Sequence, residues 1–285
     1  MRKWLLVFNI CCTAFMLKAQ SLEAGLILGG SLYSGDLSPK EFGVYFQEVN
    51  PAGGIFGRLN LNDYISMRIG ASLAKITGTG DTLQLTTRPS FRSNILELSL
   101  TGEIYPFTIG SGDFMLKPYL FGGGAIFRHN PQTPFDGGWI DMQPLGTQGQ
   151  GLEGYPEPYK LTQFSIPFGG GIKFVINDTW SIGAEFGWRK TFTDYLDDIS
   201  DATVNYLDIY NGNGALAARI SNGLIAGPET GDVNFKRGGP YKDWYYMSGI
   251  TVSYFLGGSS GYGSSSSRNR VGGRKRGKAM GCPTF

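Results

Sequence analysis

Histidine is almost absent from this sequence, and cysteine is rare. His129 is the only histidine, and Cys282 is the only cysteine after residue 12. An enzyme with a histidine base would need His129 to be oriented by a carboxylate beside a nucleophile or an activated water. Asp136 and Asp141 lie nearby in the sequence, but their spacing singles out neither. We therefore expect no catalytic residues and interpret His129 as a solvated loop histidine.

Long apolar runs are also missing after the N-terminus, where no segment approaches the ~20 apolar residues of a membrane-spanning helix. The first residues, MRKWLLVFNICCTAFMLKAQ, combine basic residues, an apolar stretch from Trp4 to Leu17, and then Ala19. This pattern is typical of a secretory signal peptide, which we expect to end at Ala19. Cys11 and Cys12 would be removed with it, because the short apolar run before them lacks the small residues of a lipoprotein signal.

Apolar and polar residues alternate with a period of two in eight later segments. In ILELSLTGEIY, for example, the leucines at 96, 98 and 100 alternate with Glu97, Ser99 and Thr101. A strand places such residues on opposite faces, whereas a helix would scatter them around its axis. Several segments reach the 9–11 residues that a tilted strand needs to cross a bilayer. The eight predicted strands are Leu22–Leu32, Ile55–Leu61, Tyr64–Lys75, Ile95–Tyr105, Phe114–Phe127, Leu161–Ile176, Trp180–Lys190 and Trp244–Leu256.

The connections between these segments alternate strictly between short and long. The short ones are 62–63, 108–113 and 177–178, and the long ones are 33–54, 76–93, 128–160 and 194–243. Short turns at one end and long loops at the other are typical of outer-membrane barrels. We therefore predict an all-β chain with an eight-stranded antiparallel outer-membrane β-barrel. The predicted divisions are a signal peptide (1–19), the barrel (20–257) and a flexible tail (258–285) on the periplasmic side.

The polar face of the predicted strands carries nine charges, five positive and four negative. A soluble sandwich core could not hold them, since each would be desolvated without a partner. In an eight-stranded barrel the interior is just wide enough for side chains, so balanced charges can pair there. We expect a plugged lumen with a lumen charge network of Glu23, Arg58, Arg68, Glu97, Glu103, Lys117, Lys173, Glu185 and Arg189.

A soluble sandwich whose polar face meets water is the alternative, because its strands would also alternate. The continuous apolar face disfavours it, as do aromatic residues that flank this face as an interfacial girdle would. These predicted girdle residues are Trp180, Trp188, Tyr105, Phe107, Tyr246 and Tyr254.

The run TDYLDDISD, residues 193–201, is the one candidate for a metal site. Carboxylates are ligands for Ca²⁺, but the run lacks the D-x-[DN]-x-[DN]-G pattern of a calcium loop. Asp194, Asp197, Asp198 and Asp201 instead follow helical spacing. We expect a short surface helix or a solvated loop, with no metal and no cofactor.

The C-terminal residues form a module of opposite charge to the barrel. Three of the 25 basic residues lie in residues 1–19 and six in the tail, which leaves 16 beside all 23 acidic residues. The export signal argues against nucleic acid as the partner, so anionic lipid headgroups of the inner leaflet and an acidic protein surface remain. Cys282 has no intramolecular partner after signal cleavage, which leaves an intermolecular disulfide or an incidental free thiol.

Three motifs together resemble the PorG family. They are LGGSLYSGDLSP (28–39), WRKTFTDYLDDIS (188–200) and the terminal Cys-Pro-Thr-Phe (282–285). This family comprises outer-membrane barrel proteins of the type IX secretion system of Bacteroidota. The motif residues that we single out are Tyr33, Gly35, Asp36, Asp194, Tyr195, Asp197 and Asp198.

The resemblance implies a non-enzymatic protein that links the secretion machinery to the outer membrane. Its implied partners are a periplasmic ring lipoprotein similar to PorK and a second ring protein similar to PorN. The alternatives are a small barrel enzyme that acts on lipid or peptide and a general structural barrel. The expected partner-binding residues, in the tail, are Cys282, Pro283, Phe285, Arg274, Lys275, Arg276 and Lys278.

Overall fold

Eight long antiparallel strands dominate the computed structural model. It describes residues 21–38, 48–79, 90–111, 114–176, 179–221, 232, 234–236 and 238–256. The predicted signal peptide and the whole of the predicted tail lie outside these residues. The eight strands are β1 (Ser21–Ser34), β2 (Asn50–Asn60), β3 (Ile65–Thr79), β4 (Ser90–Ile104), β6 (Phe114–Arg128), β9 (Thr162–Val175), β10 (Trp180–Thr191) and β13 (Trp244–Leu256).

These strands close into a barrel. Each pairs with the next in the chain, β4 pairs directly with β6, and β13 returns to pair with β1. Closure satisfies the backbone groups of both edges, which a bilayer would otherwise leave without partners. The predicted eight-stranded antiparallel barrel is confirmed. Among the described residues, the helices are all too short or too polar to cross a membrane.

The short connections and the first and last described strand ends share one end of the barrel, here called the turn end. Leu22 of β1 lies opposite Leu256 of β13 there. The connection before β6 is more ordered than predicted, since β5 (Ile109–Ser111) extends it as a hairpin. The opposite end, called the loop end, carries the long connections.

The strands run further toward the loop end than their sequence pattern predicts. Strand β2 begins at Asn50 instead of Ile55, and β3 continues to Thr79 beyond the predicted Lys75. The outer residues at this end are Pro51 and Gly53 on β2 and polar residues on β3, as at Thr77, so the apolar alternation stops before the hydrogen-bonded ladder does.

Two long loops contain elements of their own and form a cap, defined as the described residues of 129–161 and 192–243. The first has a hairpin of β7 (Pro131–Phe135) and β8 (Gly138–Asp141), turned by Asp136 and Gly137 with positive φ. A short 3₁₀ turn, Gln143–Leu145, follows in the same loop. The second loop has β11 (Thr203–Asn205) paired with β12 (Asn234–Lys236), and helices α1 (Tyr206–Gly212) and α2 (Ala215–Ser221).

The outer wall of the barrel is an apolar band. On β4, Leu96, Leu98 and Leu100 are 49–61 % exposed, while Glu97 between them is buried. Aromatic rings mark both edges of the band on β10: Trp180 packs edge-on against Tyr254 at 5.0 Å, and Trp188 stacks on Phe168 at 5.7 Å. The eight residue steps from Trp180 to Trp188 span about 26 Å along the strand. At the usual strand tilt of about 40° this is a height of about 20 Å, close to the band of about 25 Å of a transmembrane barrel.

Two of the predicted girdle residues do not take that role. Tyr105 is fully buried in the lumen, where its hydroxyl donates to Glu103 at 2.5 Å. Tyr246 lies on the outward face, opposite Trp188, but it is covered, with its ring 6.2 Å from that of Phe186. The alternation with a period of two already places Tyr105 on the inward face with Glu103, whereas the burial of Tyr246 on the outer face does not follow from the sequence.

Candidate functional site: the packed lumen and the loop-end cap

The predicted lumen residues all lie inside the barrel, and each is at most 8 % exposed. Six of them form one chain of alternating charge. Lys173 pairs with Glu23, Glu23 with Arg58 (2.9 Å), and Arg58 with Glu103 (2.7 Å). Each ion pair crosses between strands, so the chain connects separate parts of the wall.

The series of ion pairs continues through Arg68. Its guanidinium lies 3.2 Å from Glu103 and makes two bonds to Glu185, at 2.5 and 3.0 Å. Arg68 and Arg58 lie directly opposite each other on β3 and β2. Glu103 contacts both guanidinium groups, and therefore offsets the repulsion that this pairing creates.

The remaining lumen charges take other partners. Arg189 pairs with Glu97 at 3.3 Å, and the hydroxyl of Tyr245 donates to the same carboxylate at 2.6 Å. Lys117 donates to the backbone carbonyl of Asp63 at 3.0 Å. Close packing accompanies these contacts: a Cβ on Gly187 would lie 2.5 Å from Nη1 of Arg189. Glycine at 187 thus leaves room for a long side chain to cross the lumen.

An apolar layer lies in the upper barrel and cap, on the loop-end side of the lumen charge network. It combines inward side chains of the barrel with side chains of both cap loops, and all of them are at most 7 % exposed. The members are Tyr33, Leu37, Ala74, Ile76, Phe91, Ile95, Phe127, Met142, Leu196, Ile199, Tyr245 and Met247. The described interior is therefore filled by ion pairs below and hydrophobic packing above.

Two segments of the motifs, YSGDL (33–37) in the first and DYLDD (194–198) in the second, are at least 157 residues apart in the chain and meet in this cap. The hydroxyl of Tyr33 donates to Asp197 at 2.7 Å and contacts Asp243 at 3.1 Å. A Cβ on Gly35 would lie 1.9 Å from Oδ1 of Asp243. Asp36 accepts a bond from the backbone of Gly239 at 2.7 Å. The first motif therefore holds the last loop against β1.

The second motif also binds the third long loop. Asp198 accepts bonds from the hydroxyls of Thr147 and Tyr159, the latter at 2.6 Å. The ring of Tyr159 stacks on Tyr195 at 4.5 Å. These hydrogen bonds and this ring stacking join the two cap loops to each other.

The acidic run of the second motif was expected on the surface, and this prediction is wrong. Asp194, Asp197 and Asp198 are at most 3 % exposed, and residues 192–202 contain no helix. Their spacing resembles that of a helix, but hydrogen bonds to distant loops decide the conformation instead. Within the described residues, no group of three or more His, Cys, Asp or Glu side chains is arranged to hold a metal ion.

Buried carboxylates lie close together in the cap. Burial raises the pKa of Asp243, and the neighbouring Asp197 carboxylate raises it further, while a bond from the backbone N–H of Leu196 at 2.9 Å opposes the shift. Lys242 lies 3.3 Å from Asp194 at the edge of the group. Protonation of Asp243 therefore stabilises the folded cap.

His129 is fully buried, so its prediction as a solvated loop residue is also wrong. It lies between Phe127 and Tyr159, with its ring 6.1 Å from the parallel ring of Tyr159. Neither of its ring nitrogens makes a hydrogen bond to a described group. Burial lowers the pKa of His129 to about 4. The imidazole is thus a neutral packing group.

Replacing His129 with phenylalanine is expected to remove a loss of stability at acidic pH. The folded pKa is about 4 and the ordinary value 6.5, so between these values the unfolded chain binds the extra proton. The wild type should lose up to about 3 kcal/mol as the pH falls through this window. The free energy of unfolding in detergent micelles, measured by urea titration from pH 7 to pH 4, tests this.

The difference between His129→Phe and wild type isolates the histidine, because both proteins share Asp243, whose contribution has the opposite sign. Parallel pH profiles for the two proteins would contradict the assignment of a buried neutral imidazole.

The closed barrel, its apolar outer band and its charged, packed interior together define the class of this protein. It is a membrane β-barrel of the outer-membrane type. More particularly, residues 2–143 match the family model DUF6089, described as a domain of unknown function. No curated protein matches the sequence.

Similar solved structures include three outer-membrane barrels. The N-terminal barrel domain of Pseudomonas aeruginosa OprF is 11 % identical, with a TM-score of 0.34, and the match covers 84 % of this chain and 100 % of that one. Pseudomonas aeruginosa OprG is 13 % identical with a TM-score of 0.40, and the match covers 84 % of this chain and 99 % of that one. Ail, the attachment invasion locus protein of Yersinia pestis, is 9 % identical with a TM-score of 0.35, and the match covers 83 % of this chain and 99 % of that one. At these values the similarities say nothing about function.

Proposed function

We propose that this protein is a non-enzymatic, integral outer-membrane component of a type IX protein secretion machinery. In this proposal the barrel is an anchor, and the C-terminal tail binds a periplasmic ring of PorK-like and PorN-like proteins. The observation that carries an anchoring role is the filled interior, because ion pairs and an apolar layer occupy the path that a solute would take. The link to secretion rests on the resemblance of the three motifs to the PorG family.

The position of the last strand supports a periplasmic tail. Strand β13 ends at Leu256, beside Leu22 and at the turn end of the barrel. In outer-membrane barrels the short turns face the periplasm. The tail would therefore start on the side where a ring lipoprotein is found, and its basic residues would attract an acidic partner surface.

A catalytic role for His129 finds no support in the geometry. A general base must reach the proton that it abstracts, directly or through one water. His129 is fully buried, is stacked on Tyr159 and has the tilted ring of Phe127 at 5.7 Å. The proposal therefore assigns no reaction to the loop end.

Deletion of residues 258–285 tests the anchoring role. Affinity-tagged wild type and the deletion variant are purified in mild detergent from the native host under non-reducing conditions, and the co-purifying proteins are identified. The deletion should lose the ring proteins while the barrel still migrates as a heat-modifiable band. Retention of the ring proteins by the tail-less barrel would overturn the proposal.

Two further variants separate covalent from electrostatic attachment. Cys282→Ser should remove a high-mass band from non-reducing gels if Cys282 forms a mixed disulfide with the ring lipoprotein. A variant with Arg274, Lys275, Arg276 and Lys278 replaced by glutamine keeps the thiol and tests the charge. An unchanged high-mass band in Cys282→Ser would exclude the disulfide.

A further inference from the structure

The charged residues of the eight barrel strands divide sharply between the two faces of the wall. Nine face the lumen, where both signs occur. Four face outward, and all four are basic and lie near the loop end of their strands. These outward residues are Lys75 on β3, Arg92 on β4, Arg128 on β6 and Lys190 on β10. The outer wall is thus apolar at mid-height and positive at its loop-end boundary.

Three of these four cations lie on adjacent strands above an open groove. The groove has a volume of about 750 Å³ and is lined by residues of β1, β2, β3, β4 and β6. Its apolar floor includes Leu28, Leu73 and Leu96, which are 69, 65 and 49 % exposed. Gly53 lies between the first two in the strand register and adds no side chain. The floor is therefore a recess in the lipid-facing band.

The edge of the groove is polar and positive. Lys75 and Arg128 both line it, together with the exposed amide of Asn94. Lys75 and Arg128 lie two strands apart and are offset by two residues along β4, opposite Asn94 and Leu96. Their Cα atoms are therefore about 12 Å apart by the usual strand spacing and rise. Neither makes a salt bridge with an acidic residue in the part of the chain that the structure describes. Their charges are thus available to a ligand.

A third cation is held just above the groove. The guanidinium of Arg92 lies 4.2 Å from the ring centre of Trp139 in β8, and its Nε donates to Gln132 at 2.8 Å. Tryptophan is typical of the boundary between hydrocarbon and headgroups. Arg92 and Trp139 therefore place this part of the wall at headgroup level.

We propose that this groove binds a phosphorylated glycolipid of the outer leaflet, with its acyl chains on the leucine floor and its phosphates on Lys75 and Arg128. A membrane lipid fits because the floor is continuous with the lipid-facing band. A headgroup with two separated phosphates matches two cations about 12 Å apart better than one phosphate does. This site is independent of the tail and of any secretion role.

Lipid titration of the purified full-length protein tests the site. Native mass spectrometry from zwitterionic detergent would measure binding of lipid A with two phosphates, its dephosphorylated form, and phosphatidylglycerol. The wild type should bind the diphosphorylated lipid best. The variant Lys75→Gln/Arg128→Gln should bind it on the order of 10- to 30-fold more weakly. Each basic residue near the headgroups contributes a factor of about three to five to the affinity, and the variant lacks two of them.

The matched control is Lys190→Gln/Arg219→Gln, which removes the same charge from the opposite wall and from the cap. It should change lipid affinity by less than about threefold, and both variants should retain the heat-modifiable band of a folded barrel. Equal losses in the two variants, or equal binding of the dephosphorylated lipid, would overturn the site. Equal binding of phosphatidylglycerol by the wild type would overturn the glycolipid as its occupant. Ring attachment is not measured here, so this proposal and the anchoring role fail separately.

Discussion

Replacing Arg58 with methionine is expected to lower the free energy of unfolding of the barrel by about 3 kcal/mol. Arg58 is 2 % exposed and lies between the carboxylates of Glu23 and Glu103. Its removal leaves the buried carboxylates of Glu23 and Glu103 each with one cationic partner fewer. Lys173 still contacts Glu23 and Arg68 still contacts Glu103, so the loss should fall at the lower end of the range for broken buried pairs. Urea unfolding in micelles measures it.

Two further variants make this result specific. Arg219→Met changes an exposed arginine of the cap whose guanidinium lies 5.2 Å from the ring centre of Phe135, and it should alter stability by less than about 1 kcal/mol. Arg58→Met/Glu103→Gln removes one stranded charge with its partner and should recover part of the loss. If Arg58→Met is as stable as the control, the lumen charge network does not stabilise the barrel.

Replacing Leu98 with arginine is expected to destabilise the membrane-inserted barrel by about 2–4 kcal/mol. Leu98 is 61 % exposed on the outer wall and lies between Ala71 and Ile126 in the strand register. An arginine there would place a charge near the middle of the apolar band. Reversible unfolding from phospholipid vesicles gives the free energy directly.

Asn94→Arg is the matched control, because it is on the same strand and the same face as Leu98 but beyond the apolar band. Near the interface the cost of arginine falls to about 0–1 kcal/mol. A small effect at both positions would mean that water, not lipid, meets the outer wall, and would contradict the membrane assignment.

The barrel itself is predictable from the sequence because alternation with a period of two assigns each residue to a face. The segment around Leu98 and Glu97 shows this, and the structure confirms the strand type and the number of barrel strands. The extensions of β2 and β3 were missed, since the hydrogen-bonded ladders continue where the apolar alternation has ended, at Pro51 and Gly53 on β2 and at Thr77 on β3. The β7–β8 hairpin was missed as well, although Asp136-Gly137 between apolar and aromatic residues is a recognised hairpin signal.

The cap was the least predictable part. Its acidic residues were expected in water because aspartate is rarely buried without partners. Tyr33 supplies one such partner from 164 residues away, and Tyr159 supplies another from the third loop. The prediction that His129 is solvated was wrong for the same reason, because Tyr159 from the same loop covers its ring.

The sequence by itself determined the strands, the two faces of the wall and the number of charges that must lie inside. These properties are local, because each follows from the alternation of neighbouring residues. Only the tertiary structure decided which carboxylate pairs with which guanidinium. It also brings the YSGDL and DYLDD segments into contact in the cap, and it places three outward cations beside one groove. Those contacts join strands and loops far apart in the chain, and barrel closure and strand register bring them together.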